Sequence, residues 1–243
     1  MAGGARKALA GAAAERRALM EGLNKLNDNM VTLAELSEIA IRKAAESLAR
    51  LDPGAADEVF TLDNEIYALQ LQIEKTCGEL LALYAPVARD LRTITTSLKI
   101  TTDFDRIGRY AKDIAEIALQ LKGASQALYE RLETLHKMVD ITIDMVDTAT
   151  EAFVRRDPDS VRDIGEVDDV VDELEIAIHD ALVSDMKDGT LPIDIGTRYV
   201  LVTRYLERIA DHAVNIGERV VYMVTGERAI RERAAVRARR KAP

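Results

Sequence analysis

This sequence predicts an all-α protein made of two tandem three-helix bundles, and three observations carry that prediction. Apolar residues recur at alternating steps of three and four, Pro and Gly are scarce and mark the gaps between such stretches, and two short segments return about one hundred residues later. LeuAspProGly at 51–54 comes back as ArgAspProAsp at 156–159, and AspPheAspArgIleGly at 103–108 as TyrLeuGluArgIleAla at 205–210. The first pair is 105 residues apart (52 to 157) and the second 102 (105 to 207), so the halves differ by a three-residue deletion.

The helical period is plain in Val59, Leu62, Ile66, Leu69, Ile73, Cys77, Leu80 and again in Val167, Val171, Leu174, Ile178, Leu182. With the gaps at Pro53–Gly54, Tyr84–Pro86, Gly123, Pro158 and Gly189–Pro192, it defines six long antiparallel helices, over 14–51, 54–83, 87–122, 125–156, 158–187 and 194–225. Strand signals are absent. Thirty-odd residues at about 1.5 Å each make rods of roughly 45 Å, which suit an up-down bundle. Pro53 and Pro158 stand where a helix begins and a missing N–H costs nothing, with Asp52 and Asp157 as caps. The expected domains are 1–124 with an N-terminal extension, 125–226, and a basic tail at 227–243.

Composition narrows the function classes. No apolar run approaches the roughly 20 residues of a membrane span and the first residues lack a secretory-type segment, so a cytoplasmic location is expected, without membrane insertion. The single Cys77 cannot form an intramolecular disulfide and falls on an apolar stripe, so it reads as a core thiol. The tail carries seven Lys or Arg against two Glu, a net of +5; the overall −9 leaves −14 on residues 1–226, a poor duplex binder. Aromatic residues are 4 % and Trp is absent, so no stacking platform for nucleic acid is indicated. Phosphate loops, nucleophile elbows and Cys-x-x-Cys pairs are missing, so no enzyme is expected.

Acidic pairs one helical turn apart remain. Asp168 and Asp172 in the fifth helix, and Glu207 and Asp211 in the sixth, each project carboxylates from one face. Like charges repel there unless a cation sits between them, and such oxygen ligands suit a hard divalent ion. A solvated face opposite the seam Val202, Leu206, Ile209, Ala213, Ile216 would produce the same spacing.

ProValAlaArgAspLeuArg at 86–92, AspPheAspArgIleGly at 103–108 and LeuGluArgIleAlaAspHisAlaValAsnIleGlyGlu at 206–218 resemble the PhoU family. The likeness runs in order from about residue 25 to 227. It implies two spectrin-like three-helix domains, no catalysis, and a negative regulator of phosphate uptake and the phosphate-starvation response. Its implied partners are the phosphate ABC transporter's ATPase subunit and a sensor histidine kinase, and its implied assembly is a homodimer. The resemblance also implies a multinuclear iron or zinc cluster on the acidic motifs, here Asp168, Asp172, Glu207 and Asp211.

The halves differ at those positions. Asp63 matches Asp168 and Asp105 matches Glu207, but Tyr67 replaces the acid at Asp172 and Arg109 the acid at Asp211. The first-half site is therefore degenerate, and Arg109 is expected to supply the positive charge by pairing with Asp105 or Asp63. Arg89, Asp90 and Arg92, at the start of the third helix and not duplicated, are candidates for a capping or ion-pair role, with direct phosphate binding or a partner contact as the alternatives. His212, next to Asp211, points about 100° away on a helix and is a weak ligand candidate. A metal-dependent bundle enzyme and a purely structural scaffold are the alternatives.

Overall fold

The computed structural model describes residues 2–121 and 133–227, with side chains from residue 10 onward. The expected end of the third helix at 122, the start of the fourth at 125 and nearly all of the basic tail lie outside the described residues. Six long helices run through the remainder: α1 Ala2–Arg50, α2 Pro53–Tyr84, α3 Ala88–Gln120, α4 Glu133–Arg155, α5 Ile164–Lys187 and α6 Ile193–Thr225. Among the described residues there is no strand. Helices α1, α2 and α3 pack mutually as one bundle, α4, α5 and α6 as the other, and α3 lies against α6 to join the two. One contiguous apolar core results, with Phe104 and Tyr199 among its fully buried side chains. No helix among the described residues is long and apolar enough to cross a membrane.

The two Asp-Pro joints open alike. Leu51 and Arg156 adopt left-handed backbone, at φ 51° and 54°, and the next amides, Asp52 and Asp157, bond back to the Ser47 and Ala152 carbonyls at 3.2 and 3.0 Å. That six-to-one closure ends α1 and α4 in the same way. The joints then diverge. Asp52 Oδ1 accepts from the Gly54 amide at 2.8 Å with Pro53 in the first turn, as the sequence predicts. Asp157 Oδ1 accepts the equivalent bond, from the Asp159 amide at 3.0 Å, but residues Asp159–Val161 form a 3-10 turn. The fifth helix therefore starts at Ile164 and not at 158, with Ser160 Oγ donating to the Asp157 carbonyl inside the turn.

The other difference is at the beginning. Helix α1 extends to Ala2 where 14 was expected, although the first buried side chain among those described is Leu19. A helix-favouring Ala, Arg, Lys and Glu composition sustains it, where reading the apolar period alone stops short. Cys77 is fully buried and burial pushes its thiol up to about 12, which keeps it a neutral core group.

Candidate functional site

Gly108 brings α2 and α3 close: a Cβ there would stand 2.8 Å from Ile66 Cδ1. Two buried carboxylates flank this approach, Asp63 from α2 and Asp105 from α3. Lys112 Nζ donates to Asp63 Oδ2 at 3.1 Å, and Arg109 Nε to Asp105 Oδ2 at 3.0 Å. The Arg109 guanidinium also lies over the Tyr67 ring, 5.6 Å from its centroid. Its hydrogen bond and ion pair with Asp105 hold its pKa above the ordinary value, with a smaller contribution from Asp63. Each first-half acid thus has its own cation, and Tyr67 and Arg109, the two residues replacing acids, touch each other.

The equivalent second-half position is balanced differently. Glu207 is only 5 % exposed, so the solvated-face reading does not hold for it. Arg204 approaches its Oε1 at 2.9 Å and also reaches Glu175 at 3.4 Å; Arg208 is 3.7 Å from Glu207 Oε2 and 3.4 Å from Asp211 Oδ2. Two guanidiniums are therefore shared among three carboxylates, and Oε2 of Glu207 is buried with no hydrogen-bond partner. Burial, then the neighbouring Asp211 charge, raise the Glu207 carboxyl to about 7, against the opposing pull of Arg204. Asp168 and Asp172, half-buried on α5, carry polar interactions of their own.

Glu207 Oε2, which has no hydrogen bond, and the adjacent Asp211 favour a cation, but among the described residues no three His, Cys, Asp or Glu side chains are grouped to hold one. As arranged, the second-half set does not fit a multinuclear cluster, because Arg204 and Arg208 already stand on its carboxylates.

Sequence reasoning missed the polar seam between the halves. Asp103, 3 % exposed on α3, accepts from His212 Nδ1 of α6 at 2.9 Å and forms an ion pair with Arg219, which also donates to the Lys99 carbonyl at 2.7 Å. Tyr110 stacks on Tyr205 at 5.7 Å and lies 5.9 Å from the His212 ring. Burial lowers His212 to about 4, so the imidazole is neutral at ordinary pH and its Nδ1 carries the hydrogen that Asp103 accepts. His212 is thereby engaged as a bridge between the bundles. Asp103 sits two residues from Asp105 in the quoted motif, but nothing local distinguishes an acid facing the other half.

At the start of α3, Asp90 pairs with Arg16 at 2.5 Å and Arg92 Nε donates to the Met223 carbonyl at 3.4 Å, so both bind within the molecule. Arg89 is exposed and lines a cavity at that end.

Comparison with known proteins is consistent with this geometry. The PhoU domain matches residues 30–118 and 135–220, stretches whose starts are 105 and whose ends 102 apart, the same two offsets found in the motifs. A phosphate-specific transport system accessory protein PhoU homolog 1 of Thermotoga maritima is 33 % identical over 205 residues, covering 84 % of this chain and 88 % of that protein. A PhoU homolog of Streptococcus pneumoniae is also 33 % identical over 205 residues, covering 84 % of this chain and 94 % of that protein. Crystal structures of the phosphate transport system regulatory protein PhoU from Streptococcus pneumoniae and of PhoU from Pseudomonas aeruginosa each superpose with a TM-score of 0.80 at 31 % identity. They cover 88 % and 85 % of this chain, and 100 % and 99 % of their own. With both halves matched by the domain and relatives of this identity aligned over most of their length, the chain belongs to the PhoU family.

Proposed function

We propose that this chain is a non-catalytic accessory regulator of phosphate transport, restraining uptake by binding the cytoplasmic ATPase of a phosphate ABC transporter, a sensor histidine kinase, or both. The observation that carries the reading is the match of both halves to the PhoU domain, together with relatives named as phosphate-specific transport system accessory proteins. The physical mechanism is a population shift. A rigid double bundle that binds one partner state better than another biases the partner by that difference, and a useful bias needs a few kcal/mol. A homodimer is the expected assembly.

Affinity capture from phosphate-replete and phosphate-starved cells tests this. Recovery of transporter or kinase subunits that changes with phosphate supply is expected; recovery of neither under both conditions contradicts it.

Cation capture by Asp168, Asp172, Glu207 and Asp211 is a subsidiary reading, favoured by the buried Glu207 Oε2, which has no hydrogen-bond partner. It requires Arg204 and Arg208 to leave the carboxylates they now contact. Metal content of the purified chain that is the same with and without Asp172→Ala and Asp211→Ala contradicts it.

A further inference from the structure

We infer that a cavity at one end of the double bundle, where α3 begins and α4 ends beside α1, is a binding site for a phosphoryl group. The cavity has a volume of about 470 Å³ and its polar wall includes Arg16, Arg89, Arg156, Asn24 and Asn27. Arg89 and Arg156 also line a second cavity of about 270 Å³ against Met223 and Val224, so both guanidiniums border both spaces. Arg16 is engaged by Asp90, but among the described residues neither Arg89 nor Arg156 has an ion pair. Two unpaired guanidiniums sharing the same walls repel each other, and the repulsion is relieved when an anion lies between them.

The chemistry selects the anion. Asp28 is the one further carboxylate of the wall and offsets one of the two free guanidiniums, so fork geometry and not net charge selects the anion. A phosphoryl group carries about −1.5 to −2 at neutral pH and offers three terminal oxygens to bidentate guanidiniums. The uncapped first turn of α3, whose N-cap Val87 provides no side-chain acceptor, adds N–H donors beside Arg89. Met20, Leu23 and Val154 give the cavity an apolar wall that leaves room for an organic substituent. The site is not duplicated, since the position matching Arg156 in the first half is Leu51.

Calorimetric titration of the full chain at low salt with orthophosphate, and separately with the monoesters glycerol 3-phosphate and AMP, tests the inference and separates free phosphate from a phosphate ester. Saturable one-to-one binding of at least one probe is expected, weakened about tenfold or more in both Arg89→Ala and Arg156→Ala and less in Arg156→Lys, which keeps charge but loses the fork. Melting curves of each variant establish that it is folded. No saturable heat with any probe up to millimolar concentration overturns the inference, as does binding unchanged in both alanine variants. The readout is made on the isolated chain, so failure here and failure to capture a transporter or kinase are separate results.

Discussion

Asp105 and Glu207 occupy the same place in the two halves, yet their surroundings treat them differently. Asp105 meets Arg109 one turn along its own helix, whereas Glu207 meets Asp211 there and must share Arg204 and Arg208 with Asp211 and Glu175. An arginine in one half and an acid in the other stand at the i+4 position; in the second half burial first, and the Asp211 charge after it, raise the Glu207 carboxyl to about 7. The lesson is that a duplicated helix pair tolerates a buried acid in two ways, by supplying a cation or by letting the acid hold its proton.

The largest test of the comparison is at the seam that holds the halves together. Asp103→Ala leaves Arg219 half-buried without its carboxylate and deprives His212 of its acceptor. Urea denaturation should show a loss of about 3–5 kcal/mol, the usual cost of breaking a buried pair from one side; a loss below about 1 kcal/mol would mean the halves are held by apolar contact alone.

Next is pH. For Glu207 the folded value, about 7, exceeds the ordinary 4.5, so the folded chain binds more protons and stability falls as pH rises from about 4.5 to 7. For His212 the folded value, about 4, is below 6.5, so its stability contribution is present above 6.5 and is lost as pH falls toward 4. Wild type should therefore lose on the order of 2 kcal/mol relative to Glu207→Gln between pH 4.5 and 7. Parallel stability curves for the two proteins over that range would remove the raised carboxyl from the account.

Smaller effects sharpen the same contrast. Arg109→Ala leaves buried Asp105 without its guanidinium and should cost about 1–2 kcal/mol by urea denaturation. At the joints, Asp52→Ala should cost about 1 kcal/mol by losing a true helix cap. Asp157→Ala loses the equivalent bond at the head of a 3-10 turn instead of an α-helix, and should cost less in the same measurement. Equal losses would mean that the two joints are energetically alike despite their different geometry.

Much of the fold was legible from the chain because helical period and repeat offset are local signals. Apolar spacing located all six rods, and Asp52–Pro53 was read correctly down to its cap. At Asp157–Pro158 the side-chain acceptor is also in place, but a 3-10 turn follows and the α-helix begins only at Ile164, which the shared dipeptide does not reveal. Among the candidate residues, the Arg109 partnership followed from two positions on one helix. The Lys112 contact with Asp63 spans 49 residues, and the links of His212 and Arg219 to Asp103 span more than a hundred; no spacing rule on a single helix reveals such pairs. Arg204 and Arg208 were visible beside Glu207, but only burial turns them from surface charges into its counterions.

The central claim is that the residue one turn after the buried acid shifts its protonation on top of what burial does. NMR titration of the Glu207 side-chain carboxyl in wild type and in Asp211→Arg, which installs the first half's arrangement in the second, tests it directly. The account predicts a wild-type midpoint near 7 that falls in the variant, burial still holding it above 4.5. A wild-type midpoint already at 4.5, or one unmoved by Asp211→Arg, would contradict it.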